Sequence, residues 1–233
     1  MSTPVSEQEK CSYCQKVYGR ANLRKCSKCK FVRYCSKDCQ AKAWPTHKAS
    51  CVVTAQLHAQ LQEDPERKAK NDALSRWIVL WKSSINQCAL TALNLANNPA
   101  EDHLATHNVV IEIEPLPNPR HRANWFRMTG GSVMNNEEWV QRMREKRMDE
   151  SVIEDWVKDK RGNGTVRIII STSEGFMRFL YFSLLDKGAS WRRVDPVVSN
   201  DLAAMWAESL AFAFEDEKGL ALFPKDPIDV PVA

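Results

Sequence analysis

The longest run of helix-periodic apolar residues lies between the pairs Asp64-Pro65 and Asn98-Pro99. Its apolar side chains recur in alternating steps of four and three, which places them on one stripe of an α-helix. Aspartate followed by proline is a favourable helix start, and a proline after Asn98 stops the helix. The pattern predicts one long helix from residue 65 to about residue 97, with this apolar stripe: Leu74, Ile78, Trp81, Ile85, Cys88, Ala92 and Leu95.

Beyond that helix, short apolar runs rich in valine and isoleucine predict strands. One run covers residues 108–114, and a second at 125–128 is followed by a predicted turn at Gly130-Gly131. Runs at 165–171 and 176–184 are separated by a few polar residues, which predicts a hairpin. Together with helix-periodic segments, these strands predict an α+β domain with a long helix and a mostly antiparallel sheet. The additional helical segments are residues 136–148, 151–160 and 200–214.

The first 51 residues follow no such periodicity and are marked by regularly spaced cysteines. The spacing is C-x2-C, C-x2-C, C-x3-C and H-x3-C, formed by Cys11, Cys14, Cys26, Cys29, Cys35, Cys39, His47 and Cys51. Zinc takes four such ligands in a tetrahedron, so eight ligands predict two closed structural sites with no position for water or substrate. The two-residue gaps predict tight turns, and the three-residue gaps predict ligands one helical turn apart. Spacing alone leaves consecutive and interleaved pairing open.

The cysteine pattern resembles the MYND-type zinc finger, and the resemblance includes residues other than ligands. Tyr34-Cys35-Ser36-Lys37-Asp38-Cys39-Gln40 and Trp44-Pro45-Thr46-His47-Lys48 are similar to that family's second half. The resemblance implies interleaved pairing, with Cys11, Cys14, Cys35 and Cys39 on one zinc and Cys26, Cys29, His47 and Cys51 on the other. It also implies docking of short proline-containing peptides near Tyr34, Gln40 and Trp44, often in transcriptional control.

A disulfide framework is the alternative explanation of dense cysteine. It is disfavoured because the segment holds seven cysteines, an odd number, and a histidine takes the eighth position. No apolar signal segment follows Met1, and no stretch reaches the roughly 18 apolar residues of a membrane span. We therefore expect reduced thiols, an intracellular location in the cytoplasm or the nucleus, and no membrane partner.

Charge is unevenly distributed along the 233 residues, whose formal net charge is +4. Residues 1–51 carry eleven Lys/Arg and three Asp/Glu, which gives +8, and the remaining residues carry 22 and 26, which gives −4. Seven thiolates and two Zn²⁺ would lower the charge of the finger from +8 to about +5. Because its basic residues are scattered between the cysteines, nucleic acid is not the expected partner.

These features divide the chain into five predicted parts. They are a flexible N-terminus at 1–10, the finger at 11–51, a connecting segment at 52–64, an α+β domain at 65–215, and an acidic proline-containing tail at 216–233. The size of the fourth part suits one ordinary domain.

The sequence outside the finger gives little support for a catalytic, metal-binding or nucleic-acid-binding site. Cys88 lies on the apolar stripe, where a buried thiol is the simpler interpretation than a nucleophile. The histidines His103, His107 and His121 lack a paired carboxylate or cysteine and are expected in exposed loops. Arginines and lysines near residues 120–127 and 142–147 alternate with acids, as on an ordinary charged surface.

Some MYND fingers are part of SET-type lysine methyltransferases, which raises an enzymatic alternative. That fold's Asn-His-Ser/Cys cofactor motif is absent, and only ten residues precede Cys11. We therefore expect no catalytic residues and interpret the protein as a zinc-binding interaction adaptor. A methyltransferase-like enzyme with an accessory finger and a nucleic-acid binder are the alternatives.

Overall fold

The computed structural model describes residues 10–14, 16–30, 32–98, 100–158, 165–184 and 193–215. Residues 1–9 of the predicted flexible N-terminus and the predicted tail at 216–233 lie outside these ranges. The chain separates into two compact units, divided between Asp72 and Ala73. We call them unit 1 and unit 2 and describe each by itself.

Unit 1 contains a small hairpin and a long helix. Strands β1 (Arg24–Lys25) and β2 (Arg33–Tyr34) pair antiparallel and lead into helix α1 (Lys37–Glu63). Ser36 begins this helix, because its Oγ accepts a hydrogen bond from the Cys39 backbone N–H at 3.1 Å. The short helical turns expected at the last ligand pairs are parts of one continuous helix, which includes Pro45 and extends through most of the expected connecting segment.

The predicted long helix is α2 (Pro65–Leu93), which starts where expected. Asp64 accepts a hydrogen bond from the Arg67 N–H at 2.9 Å, as an N-cap does. The helix ends earlier than residue 97, because Asn94 adopts a left-handed conformation with φ of 49°. The side-chain amide of Asn98 then donates to the carbonyl of Asn94 at 3.1 Å.

Unit 2 is built on a four-stranded mixed sheet. After helix α3 (Ala100–Thr106) follow β3 (His107–Pro115), β4 (Phe126–Asn135), helices α4 (Asn136–Glu145) and α5 (Glu150–Lys158), β5 (Thr165–Thr172), β6 (Met177–Ser183) and α6 (Pro196–Glu215). The strand order is β4-β3-β5-β6. The pairings β3–β4 and β5–β6 are antiparallel, and β3–β5 is parallel. The predicted α+β class and mostly antiparallel sheet are confirmed.

The predicted turn at Gly130-Gly131 is wrong, because both glycines lie inside β4. Gly130 pairs with Glu112 and Gly131 with Ile111, next to a register shift in β3. A Cβ atom on Gly131 would lie 2.8 Å from Cη2 of Trp206 in α6. Glycine is therefore required here by the close approach of a helix, not by a turn.

Helices cover both faces of the sheet. Helices α4 and α5 pack Trp139, Met143, Ile153 and Trp156 against Val110 and Ile169. Helix α6 packs over Gly131, whose partner on β3 is Ile111. Because successive residues of a strand face opposite sides of the sheet, Ile111 faces away from its neighbour Val110. Helix α6 therefore lies on the face opposite to α4 and α5. A group of buried aromatic side chains in contact with one another is formed by Trp77, Trp81, Phe126 and Phe214.

No helix within the described ranges is long and apolar enough to cross a membrane.

Candidate metal centre

The eight cysteine and histidine residues of the sequence pattern come together as two groups of four. Within each group the candidate ligand atoms lie within 4.8 Å of one another. The groups are interleaved in sequence, and we call them cluster 1 (Cys11, Cys14, Cys35, Cys39) and cluster 2 (Cys26, Cys29, His47, Cys51). Each cluster therefore combines one early pair with one late pair.

Cluster 1 joins a turn near the N-terminus to the start of α1. The Sγ atoms of Cys14 and Cys35 are 3.8 Å apart, and those of Cys35 and Cys39 are 3.5 Å apart. Cys35 lies between β2 and the helix, whereas Cys39 lies in its first turn. The segment around Cys11 is held in place because the Ser12 N–H donates to the Arg33 carbonyl at 2.9 Å.

Cluster 2 joins the turn between β1 and β2 to the middle of α1. The Sγ atoms of Cys26 and Cys51 are 3.7 Å apart, and Sγ of Cys29 is 3.7 Å from Nε2 of His47. All four residues are buried. The turn closes with a hydrogen bond from the Lys30 N–H to the Cys26 carbonyl at 3.0 Å, and Lys30 has a left-handed φ of 59°.

These distances fit tetrahedral zinc. With Zn–S bonds of about 2.3 Å, two sulfurs of one tetrahedron lie about 3.8 Å apart. The observed sulfur separations of 3.5 to 3.8 Å match this edge. They are far longer than the disulfide bond of about 2.05 Å, and the cysteines of both clusters are free. Cluster 1, with four cysteines, and cluster 2, with three cysteines and a histidine, therefore fit two structural Zn²⁺ ions.

Electrostatics within the clusters call for a cation. Burial opposes ionisation of Cys11, but the backbone N–H groups of Cys14 and Cys35 outweigh it and lower the pKa of Cys11 to about 6. Burial and the sulfur of Cys26 raise the pKa of Cys51 to about 11. The pKa of Cys39 in cluster 1 is raised to about 11, and that of Cys26 in cluster 2 is lowered to about 6, so the protein's own groups favour one thiolate of each cluster and oppose another. A divalent ion stabilises all of the thiolates together.

The finger has little apolar core apart from the sulfur atoms. Its buried cluster contains four cysteines and only three other residues, Leu23, Tyr34 and Ala43. So small a core stabilises a fold weakly, and metal binding is the usual way in which a module of this size is held together.

The residues around the clusters differ in part from the expected docking residues. Tyr34 is 2% exposed and stacks edge-on to His47, so its ring is part of the core. Gln40 donates its amide towards Sγ of Cys26 at 3.7 Å. Trp44 also packs edge-on to His47, yet it is 37% exposed. Of the three residues, Trp44 therefore has the exposed aromatic ring.

Sequence reasoning did not identify Tyr18 as a neighbour of cluster 1. A hydrogen bond to the sulfur of Cys35 and its negative charge raise the pKa of Tyr18 to about 12. The hydroxyl therefore remains a donor to the sulfur at neutral pH. The sequence carries no signal for this contact, because Tyr18 lies 17 positions before Cys35.

The candidate residues outside the finger form no metal site within the described ranges, where only the two clusters bring together three or more cysteine, histidine or carboxylate ligands. His103 and His107 were expected in exposed loops. Instead, His103 lies in α3 and His107 is the first residue of β3, and the two rings stack with centroids 3.9 Å apart. Cys88 is buried, and burial raises the pKa of its thiol to about 12. Three members of the basic neighbourhoods form ion pairs: Arg127 with Glu114, Arg144 with Glu150, and Lys146 with Glu112.

Comparison with known proteins places the similarity in the finger. The family model for the MYND finger matches residues 11–51. Histone-lysine N-methyltransferase SMYD3 of Homo sapiens is 46% identical over 41 residues, which are 18% of this chain and 9% of that protein. Zinc finger MYND domain-containing protein 10 homolog of Drosophila melanogaster is 58% identical over 31 residues, 13% of this chain and 7% of that protein.

A third relative has a different name and a similar extent of match. Ubiquitin carboxyl-terminal hydrolase 19 of Arabidopsis thaliana is 48% identical over 48 residues, 20% of this chain and 6% of that protein. The match thus spans less than a tenth of each of these three relatives. No solved structure matches the chain. Residues 11–51 are a MYND-type zinc finger, and each of the three relatives matches a fifth of this chain or less.

Proposed function

We propose that this protein is a zinc-dependent interaction adaptor whose finger binds short proline-containing peptides of partner proteins. Cys11, Cys14, Cys35 and Cys39 would hold one Zn²⁺, and Cys26, Cys29, His47 and Cys51 the other. Both ions stabilise the finger and perform no reaction. The arrangement of the two clusters in closed sets of four donors is the observation that carries this proposal.

The donor count separates a structural role from a catalytic one. A catalytic zinc commonly has three protein ligands and one open position, whereas a structural zinc has four. Each cluster offers four donors with the spacing of a tetrahedron. The finger is therefore proposed as a rigid surface. The likeness to named methyltransferases is confined to short segments in this region and does not favour an enzymatic alternative.

Trp44 is the proposed contact for the peptide. Proline-rich segments bind exposed aromatic side chains because their extended conformation is already formed before binding. Trp44 is 37% exposed, and its ring is held edge-on to His47 of cluster 2. The metal site would thereby fix the orientation of the binding surface. The free thiols support a reducing, intracellular location for such a protein.

The test combines metal content with peptide binding. The protein is titrated into a fluorescent peptide of the form proline-x-leucine-x-proline and, separately, into a peptide of the same composition in scrambled order. We expect saturable binding of the first peptide, and at least about tenfold weaker binding by Trp44→Ala, as for other aromatic contact residues. Tyr13→Ala is the matched control, because Tyr13 is an aromatic residue of the finger that is 46% exposed.

Metal content distinguishes the two parts of the proposal. Native mass spectrometry should find two zinc ions in the wild type and in both variants. Equal binding of the two peptides, or equal binding by wild type and Trp44→Ala, would contradict the peptide proposal and leave the structural zincs intact. Fewer than two zinc ions in the reduced wild type would contradict the metal assignment itself.

A further inference from the structure

Helix α6 is apolar over more of its circumference than the sheet covers. Its buried residues are Ser199, Trp206, Leu210, Ala213 and Phe214. Five large apolar side chains nevertheless remain exposed: Val197 at 67%, Val198 at 50%, Leu202 at 48%, Met205 at 57% and Phe212 at 62%. A contiguous exposed apolar patch commonly marks an interaction site.

Most of these side chains share one line along the helix. Val198, Leu202, Met205, Ser209 and Phe212 follow one another in steps of four, three, four and three. This is the spacing with which a helix presents a continuous apolar stripe to a second helix. We call this line the outer seam. It is distinct from the buried face, and it lies in unit 2, outside the finger.

Acidic residues form a row beside the outer seam. Asp201, Glu208 and Glu215 are spaced by seven residues and all three are exposed. Residues three or four apart are neighbours on a helix surface, so Glu208 lies beside both Met205 and Phe212. Helix α6 contains no lysine or arginine. The seam is therefore bordered by negative charge that the helix itself does not neutralise.

The helix that carries this surface is fixed at both ends. At its start, the N–H of Val197 donates to Oδ1 of Asp195 at 2.8 Å, and Ser199 donates to Oδ1 of Asn94 at 2.6 Å. At its end, the Asn124 amide donates to the carbonyl of Phe214 at 2.8 Å. A surface held in this way loses little conformational entropy when a partner binds.

We propose that the outer seam binds an amphipathic α-helix of a partner protein, with its apolar stripe on the seam and lysine or arginine residues facing the acidic row. Charge complementarity selects this occupant. A second copy of the chain fits poorly, because antiparallel pairing would bring the two acidic rows together. Parallel pairing would need the other flank of the seam, where Trp206 and Ala213 are buried within the unit.

The test uses the full-length, zinc-loaded protein and two synthetic helical peptides. Both peptides have about three heptads with leucine at the a and d positions, and they differ only in lysine or glutamate at the e and g positions. Binding is measured by fluorescence anisotropy at low and physiological salt. We expect the lysine peptide to bind, and its affinity to fall as salt rises, whereas the glutamate peptide should not bind.

Variants on the seam and on the row locate the contact. Leu202→Glu should weaken binding of the lysine peptide by at least about tenfold, because it places a charge in the apolar contact. Val79→Glu is the matched control, since Val79 is 73% exposed on α2 and lies outside the seam. The double variant Asp201→Lys/Glu208→Lys should weaken binding of the lysine peptide by about tenfold and permit binding of the glutamate peptide.

Several results would overturn the proposal. One is failure of the wild type to bind the lysine peptide, which would also result if residues 216–233 occupied the seam. Another is equal loss of binding in Leu202→Glu and Val79→Glu. A third is a dimer of the wild type, seen by sedimentation, that Leu202→Glu dissociates, since the occupant would then be a second copy.

Discussion

Replacing Gly131 by alanine should destabilise unit 2, and the neighbouring replacement Gly130→Ala should not. An added Cβ on Gly131 would lie 2.8 Å from Cη2 of Trp206 and 3.0 Å from Cβ of Ala207, and would also collide with Cε of Met128. The methionine end can rotate away, but the other two atoms belong to α6. Helix and strand must therefore separate by several tenths of an ångström.

The expected size follows from two opposing terms. Overpacking a close contact costs about 1–3 kcal/mol. Alanine also reduces the conformational freedom of the unfolded chain relative to glycine, which stabilises the protein by about 0.4–1 kcal/mol. Gly131→Ala should therefore lower the free energy of unfolding by about 1–2 kcal/mol. At Gly130 the added Cβ would meet only the side chain of Glu112, whose Oε2 lies at 3.1 Å and can shift by a few tenths of an ångström while keeping its ion pair with Lys146, so little or no loss is expected.

Urea unfolding followed by tryptophan fluorescence measures this difference. Seven of the eight tryptophans lie after Asp72, so the signal comes mainly from unit 2. Gly131→Ala should lower the free energy of unfolding less in a Trp206→Leu protein than in the wild type. The reason is that Trp206→Leu removes the ring against which the added Cβ would collide, so the two effects are not additive. Equal midpoints for Gly131→Ala and Gly130→Ala would refute the close-packing argument.

Three further predictions concern the metal, a half-buried histidine and a helix end. Cys35→Ser should reduce the zinc content from two ions towards one and unfold part of the finger, measured by mass spectrometry and circular dichroism. Partial burial and the charge of His107 lower the pKa of His103 to about 4. The free energy of unfolding should therefore fall as pH drops from about 6.5 to 4, by about 1 kcal/mol once solvent screening of the half-exposed ring is included, and His103→Gln should remove this slope. Asn124→Ala should cost about 1–2 kcal/mol in urea unfolding, because it leaves carbonyls at the end of α6 without donors.

Controls keep these outcomes separate. Cys88→Ser should retain both zinc ions, because Cys88 lies outside both clusters. The sign of the pH effect follows from the lowered pKa of His103: below pH 6.5 the unfolded chain binds a proton that the folded chain does not, so acid favours unfolding. Unchanged zinc in Cys35→Ser, a pH slope that persists in His103→Gln, or an unaltered urea midpoint in Asn124→Ala would contradict the respective prediction.

Local signals predicted the elements whose causes are local. The N-cap at Asp64, the apolar stripe of α2 and the cysteine turns of the finger depend on residues close in sequence, and all are present. The end of α2 was misplaced because the helix stops at a left-handed asparagine, Asn94. Its amide also binds Asn200 at the start of α6, a partner 106 residues away that no local pattern reveals.

Errors arose where a distant contact determines the conformation. Gly130-Gly131 carries a strong turn signal, yet the pair continues β4 because Trp206 packs on it. Tyr34 was expected on the peptide-binding surface, although the small apolar core of the finger needs it inside. In both cases the local residue is compatible with two conformations, and the neighbour that decides between them lies far away in sequence.

Pro45 shows how metal binding can override a helix-breaking residue. A proline inside a helix removes one hydrogen bond and commonly costs about 3 kcal/mol. Under the proposed ligation, Cys39 would attach α1 to one zinc before the proline, and His47 and Cys51 would attach it to the other zinc after it. Because structural zinc contributes on the order of 10 kcal/mol, these attachments outweigh the cost. Without zinc, the penalty at Pro45 is no longer offset, and α1 is expected to lose helicity first in the turns that follow it.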